Sequence, residues 1–364
     1  MSTATATSEE SAERQEVVAL ARELGKRELA PHALELDERR PGALDAAWGH
    51  VAEVGFDRAL LAVDDGGVGL DAGSLLLCLE EIAAGDGGVA LLMLLSNAAL
   101  AALPPERAAQ IGEAERWALV PAPNARLGTG ARIAIGSDAG GRPTITGALC
   151  PAPGALGADG IVVVAGGAEP AVLALEAGAP GLQIEACEPL LGLKSAAAGR
   201  ISFSGAEAEA TTPAAEAQLA ADASLALLRA GSAAIARGVA RRAHELALEY
   251  AHARIQGGVP IVRHDAVSEM LVSMSVRLAA PPSIGTDSRA ALVAKIAASE
   301  DAVAIATDAV QVFGGTGYMH ETGVEKLMRD AKVLQLWPEP NWIAGEELVG
   351  VLHPPSSHEG DPGS

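Results

Sequence analysis

The sequence predicts a helical N-terminal domain, then a middle β domain, then a C-terminal helical bundle. Three observations predict this order. Apolar residues recur at helical spacing through the first part of the chain. Short β-like apolar runs, separated by Gly and Pro clusters, occupy residues 117–203. Helical periodicity then returns from Ser224 to Leu352. Composition agrees, because the 49% hydrophobic content carries only 2% aromatics and is mostly Ala, Leu and Val. Ala and Leu are strong helix formers.

Taken in order, residues 8–29 read as an amphipathic helix with Val17, Val18, Leu20, Leu24 and Leu29 on one stripe, closed by Pro31. A second helix is expected over 43–54, ending near Gly55, and Asp64–Leu70 is a turn-rich loop. Residues 73–84 and 88–102 read as largely buried helices. The β-like runs are Ile133–Ile135, Ile161–Val164, Ala171–Leu175 and Ile201–Phe203, and 204–221 reads as a connection. Helices are expected at 224–254, 264–279, 286–314 and 324–336. Domain boundaries follow at 1–115, 116–212 and 213–352, with 353–364 a disordered tail rich in Pro, Ser, Gly and charge.

The net charge of −21, from 47 acidic and 26 basic residues, argues against nucleic acid or an anionic membrane as partner. It leaves room for a local basic pocket. Cys78, Cys150 and Cys187 suggest neither a disulfide framework nor a metal site and read as small core residues. No signal peptide is evident, and no clean run of about 18 apolar residues stands out, so a cytoplasmic location is expected.

The most specific text is Gln311-Val312-Phe313-Gly314-Gly315-Thr316-Gly317-Tyr318, followed by Val324-Glu325-Lys326-Leu327-Met328-Arg329-Asp330-Ala331-Lys332. It resembles the C-terminal signature of the acyl-CoA dehydrogenase family. Glu28–His32, Asp65–Leu70, Glu80–Ile82, Leu190–Ser195, Ile201–Phe203 and Ala253–Ile261 resemble further family segments in the same order. The resemblance implies a middle β barrel or sandwich and a C-terminal four-helix bundle. It also implies α,β-dehydrogenation of an acyl thioester: a carboxylate removes the α-proton while the β-hydrogen leaves as hydride to FAD. In the family FAD lies at a subunit interface. Arg254 matches the arginine that pairs with the pyrophosphate of the neighbouring subunit's FAD, a task suited to a bidentate guanidinium. Gln311, Gly314, Gly315 and Gly317 match the second element that acts on the neighbour's FAD. Outside the resemblance, a surface arginine and a helix-ending glycine cluster give the same letters.

The elements that would hold the chain's own flavin read differently. Where the family has Ala-Leu-Thr-Glu-Pro, this chain has Ala118-Leu119-Val120-Pro121-Ala122. Where the family has Gly-x-Lys-x-Trp-Ile-Thr/Ser, it has Gly147-Ala148-Leu149-Cys150-Pro151-Ala152-Pro153, with Ala158-Asp159 at the expected spacing. Two prolines there also remove backbone N–H donors. Pro338 falls on the family's catalytic glutamate, and Glu339 is one residue late. In a helical backbone that shift turns the side chain by about 100°. Leu228 stands where other members carry the base, and Gly257 replaces an aromatic in the arginine turn.

These readings converge on a partner subunit that lends Arg254 and the Gln311–Gly317 loop to FAD held by a homologous acyl-CoA dehydrogenase chain. One alternative is a self-sufficient dehydrogenase with Glu339 as base; another is a flavin-free relative with a structural or other role. The implied thioester is carried by CoA or an acyl carrier protein, the implied electron acceptor is an electron-transferring flavoprotein, and no metal is implied.

Overall fold

The computed structural model describes residues 2–122, 132–187, 190–279, 281 and 285–352. The expected disordered tail from His353 lies outside these residues. The first helix, α1 (Ser2–Leu24), runs on through a π-helical turn, Gly25–Leu29, before Pro31. Then come α2 (Ala33–Asp37), α3 (Ala43–Glu53), α4 (Ala72–Gly85), α5 (Gly87–Ala102) and α6 (Pro105–Ala108). Asp71 caps α4, accepting from the Ser74 backbone N–H at 3.0 Å. Asp86 adopts an extended backbone between α4 and α5 and accepts from the N–H groups of Gly88 and Val89, both at 3.0 Å. One aspartate therefore both breaks the chain direction and starts the next helix. All of α5 except Ala101 is buried, which explains why its sequence lacks a polar stripe.

The middle segment contains β1 (Trp117–Pro121), β2 (Arg132–Ser137), β3 (Pro143–Ala152), β4 (Gly160–Ala165), β5 (Ala171–Glu176), β6 (Leu182–Ala186), β7 (Gly199–Glu207) and β8 (Glu209–Ala210). They form two four-stranded sheets, ordered β1-β4-β5-β8 and β2-β3-β7-β6. The sheets do not close on each other, so the barrel alternative is corrected to an open, two-sheet sandwich. Val120, Ile161, Val163 and Leu173 of the first sheet share a core with Ile145, Ile201 and Phe203 of the second. The opposite face of the first sheet, with Trp117, Leu119, Val162, Val164 and Val172, joins the helical core. Burial on both faces accounts for the uninterrupted apolar run in β4. The sequence reading missed β6, where Gln183 and Glu185 dilute the apolar signal on an edge strand.

The C-terminal bundle is built from α7 (Ala214–Ala253), α8 (Asp265–Leu278), α9 (Ser288–Phe313), α10 (Val324–Leu334) and α11 (Asn341–Leu352), with a short hairpin of β9 (Ile255–Gln256) and β10 (Val259–Pro260) after α7. The expected connection over 204–221 is instead strand up to Ala210 and helix from Ala214. Ala and Glu favour helix, so the long α7 extends into that region. Among the described residues, α7 is also long and apolar enough to cross a membrane by length and composition. It serves as the bundle's core helix, with 67% of its most apolar window buried.

Candidate functional site

Arg254 caps the C-terminus of α7, its N–H donating to Tyr250 O at 2.8 Å. It is exposed, and among the described residues no carboxylate forms a salt bridge with it. Its Nη2 and Nε lie 2.7 and 3.3 Å from the Gln256 side-chain amide oxygen, in the amide orientation that satisfies both groups. Gly257 and Gly258, at φ +61° and +84°, form the two-residue turn between β9 and β10. Both sit in left-handed backbone that favours glycine. This explains locally how the chain accommodates Gly257, and the tight hairpin fixes where Arg254 leaves the helix.

The Gln311–Gly317 loop lies beside it. The Tyr250 ring stacks on Phe313 with centroids 4.2 Å apart and 13° between planes. The Tyr250 hydroxyl stands 3.3 Å from Thr316 Oγ1. Tyr250 therefore joins the end of α7 to the end of α9 and brings together the two elements named from sequence. Gln311 is exposed. Gly314 adopts φ +61°, ψ −137°, a conformation that strains any side chain, and open space surrounds the Cα of both Gly314 and Gly315. Gly317 has the opposite reason to be glycine: a Cβ there would stand 2.5 Å from Val310 O. An exposed guanidinium and an open glycine backbone fit an anionic, flat ligand such as the pyrophosphate and adenosine end of FAD.

The other half of a flavin site fits poorly. Val120 points into the sandwich core, with no hydroxyl to offer. Register shifts on β3 between Leu149 and Ala152, and Pro151 and Pro153 carry no N–H. Asp159 accepts from the Arg116 backbone N–H at 2.9 Å, which commits it to the strand connection.

Glu339 lies inside the bundle with 0% exposure. Its Oε1 accepts from Arg229 Nε at 2.7 Å, while Arg229 Nη1 and Nη2 donate to Glu347 at 2.9 and 2.7 Å. Beside them, the fully buried Lys295 ammonium donates to the carbonyl oxygens of Gln335 and Glu339 at 3.2 and 2.6 Å and to Asn341 Oδ1 at 2.5 Å. Burial pushes the Glu339 carboxyl up against the pull of Arg229 and Lys295. Burial likewise brings Lys295 down to about 8. Glu339 Oε2 is buried without a hydrogen-bond partner among the described residues. Leu228 is buried too. Sequence reasoning named Glu339 but missed Arg229 and Lys295 as its company. The available signal was a single cation inside each of two apolar helical stretches, Leu227-Leu228-Arg229-Ala230 and Val293-Ala294-Lys295-Ile296. None of these groups lines the cleft of about 620 Å³ between α1, α4 and α7, where Arg22 and Arg241 clasp Glu81.

Residues 11–110 match the description "Acyl-CoA dehydrogenase, N-terminal domain" and residues 219–338 match "Acyl-CoA dehydrogenase, C-terminal domain". The chain is 31% identical to cyclohex-1-ene-1-carbonyl-CoA dehydrogenase of Geobacter metallireducens, over 89% of this chain and 93% of the relative. It belongs to the acyl-CoA dehydrogenase family. The solved butyryl-CoA dehydrogenase of Megasphaera elsdenii superposes with a TM-score of 0.80 at 24% identity, covering 93% of this chain and 97% of that one. An acyl-CoA dehydrogenase complexed with FAD from Bacillus anthracis superposes with a TM-score of 0.82 at 19% identity, over 94% of this chain and 66% of that chain.

The acyl-CoA dehydrogenase signature on α10 has a structural task of its own. Lys326 is 2% exposed and sits 3.0 Å from Asp86 Oδ2 and 2.7 Å from Asp330 Oδ2. Asp86 also accepts from the Ser195 hydroxyl, and Asp330 accepts from the Leu193 N–H at 2.5 Å. Leu193 is held at φ +51°. One turn away, Arg329 donates to both oxygens of Asp37, at 3.0 and 2.7 Å, and keeps that carboxyl ionised below the usual range despite its burial. The N-terminal helices, the end of the β segment and the bundle thus meet at one set of charges.

Proposed function

We propose that this chain supports FAD-dependent α,β-dehydrogenation of an acyl thioester as the partner subunit of a heteromeric acyl-CoA dehydrogenase. The observation that carries the reading is a contrast. Arg254 and the open backbone of Gly314 and Gly315 are assembled at one exposed end of the bundle, whereas Glu339 is turned inward onto Arg229. In this reading Arg254 neutralises the pyrophosphate of the neighbour's FAD, and Gln311, Gly314, Gly315 and Gly317 form the surface against its adenosine end. Bound FAD supplies the acceptor for the hydride that leaves the β-carbon. The catalytic carboxylate and the flavin-ring site belong to the homologous subunit. Glu339 acts as an anchor that holds residues 335–341 in place. The thioester, on CoA or an acyl carrier protein, and an electron-transferring flavoprotein as acceptor, follow from the family chemistry.

The test is expression of the chain alone and together with a homologous acyl-CoA dehydrogenase encoded beside it, followed by flavin absorbance and acyl-CoA oxidation. Flavin only in the joint complex, at one FAD per two chains, is the expected result. A yellow homo-oligomer that oxidises acyl-CoA would instead make Glu339 the candidate base of a self-sufficient enzyme. Absence of flavin from both preparations would leave the flavin-free reading.

A further inference from the structure

The cleft of about 620 Å³ between α1, α4 and α7 includes neither the Arg254 surface nor the Glu339 cluster. A buried carboxylate lines it, held by guanidiniums from two other helices. Arg22 of α1 donates to the two oxygens of Glu81 from Nε and Nη2 at 3.2 and 2.9 Å. Arg241 of α7 donates to the same carboxylate from Nη2 at 2.8 Å. Burial acts to raise the Glu81 carboxyl, and the two guanidiniums overcome it and hold it below the usual carboxylate range. One negative charge is thus matched by two positive ones. Arg241 has donors left over, because its Nε is buried with no acceptor among the described residues.

Two further cations line the same cleft. Lys26 is exposed and forms no salt bridge among the described residues. Arg242 reaches Glu245 only at 3.6 Å, beyond hydrogen-bond distance. With Glu249, four cations face three carboxylates, a positive surplus in a chain of net charge −21. The backbone contributes as well. Lys26 sits in the π-helical turn Gly25–Leu29, and such turns recur at functional sites. Gly25 lets that turn lie directly on α4, since a Cβ there would stand 2.7 Å from the Glu81 carbonyl oxygen.

We propose that this cleft binds the phosphate group of a small polar molecule. Guanidinium forks match phosphate oxygens, and the Lys26 ammonium adds a point charge. Glu81 holds Arg22 and Arg241 in place before a ligand arrives, so less side-chain freedom is lost on binding. The volume lies within the range of small-molecule sites, about 300–1,000 Å³, and leaves room for more than a bare phosphate ion. Glu245 and Glu249 are placed to accept from hydroxyls on the rest of the ligand. This inference goes beyond the dehydrogenase reading and does not depend on whether the chain works with a partner subunit.

The experiment is calorimetric titration of the full chain with inorganic phosphate and, separately, with ribose 5-phosphate, at fixed ionic strength in chloride. Saturable binding of at least one probe, with a Kd of about 1 mM or tighter, is expected. The tighter probe tells a free-phosphate site from a phosphoester site. Lys26→Gln and Arg242→Gln should each weaken binding about tenfold. Neither side chain belongs to the core, so the melting temperature should stay unchanged in both. Arg254→Ala should bind as the unsubstituted chain does, which separates this cleft from a phosphate contact at the cofactor surface. Three results overturn the proposal: no saturable binding of either probe, undiminished affinity in both Lys26→Gln and Arg242→Gln, or loss of binding in Arg254→Ala.

Discussion

Arg229 donates through Nε to Glu339 Oε1 at 2.7 Å, and the two residues are 1% and 0% exposed. They stand on different parts of the bundle, one within α7 and the other just before α11. Glu347 holds the remaining guanidinium nitrogens. Removing one member of a buried pair leaves the other charged and unsatisfied, a loss of about 3–5 kcal/mol. Glu347 compensates in part here, so Glu339→Ala should cost about 2–3 kcal/mol. Urea midpoints measure this, and the kcat of the flavin-containing complex should stay near that of the unsubstituted protein. A collapse of kcat with an unchanged midpoint would instead place Glu339 on the substrate.

Lys295 gives a pH signature of known sign. Its folded value is about 8, and its ordinary value is about 10.4. Between these values the folded chain releases a proton that the unfolded chain keeps. Unfolding free energy therefore rises with pH in this window, as the burial penalty on the ammonium is relieved. Stability of the unsubstituted protein relative to Lys295→Met should grow from pH 8 to about 10 by at most about 3 kcal/mol. Paired denaturation curves across that range check it, and a flat difference would show that Lys295 keeps its proton.

Arg254→Ala should weaken FAD retention by the complex about tenfold, the scale of one charge-assisted hydrogen bond. Arg254→Lys should recover only part of it, because an ammonium lacks the planar fork. Dialysis followed by flavin absorbance reads both. Unchanged retention in the alanine variant would remove Arg254 from the cofactor surface.

The loop glycines separate shape from contact. Gly317→Ala places a methyl 2.5 Å from Val310 O and should destabilise the fold by about 1–3 kcal/mol. Gly315→Ala meets nothing within 4 Å and should leave the melting temperature unchanged. If the neighbour's cofactor lies against this backbone, Gly315→Ala still lowers flavin retention. Equal retention with and without the methyl would place the cofactor elsewhere.

The segment order was legible because period and composition both change near Trp117 and again before the bundle. The start of α7 was misread because Ala-rich text after Ala214 lacks a marked apolar stripe, although its Ala and Glu residues favour helix. Edge strand β6 escaped because only Leu182 and Ile184 carry its signal. For the candidate site, Arg254 and Gln311–Gly317 were named through the family resemblance, and Tyr250 brings the two elements together by stacking on Phe313 and approaching Thr316. The inward turn of Glu339 was not legible in the sequence. It depends on Arg229, 110 residues earlier, and on a lysine from a third helix, and local pattern does not encode such distant pairing.

Lys326 answers for more than its own helix. It faces two carboxylates, Asp86 between α4 and α5 and Asp330 on α10, and Asp330 in turn holds the backbone of Leu193. A fragment ending before α10 would keep Asp86 without the ammonium that pairs with it and the Leu193 N–H without the Asp330 acceptor. The three segments should therefore melt together, in a single calorimetric transition whose van't Hoff and measured enthalpies agree. Taking away the bundle would strip Arg329 from Asp37 and Lys326 from Asp86, so the buried charge of one segment is a debt settled by another.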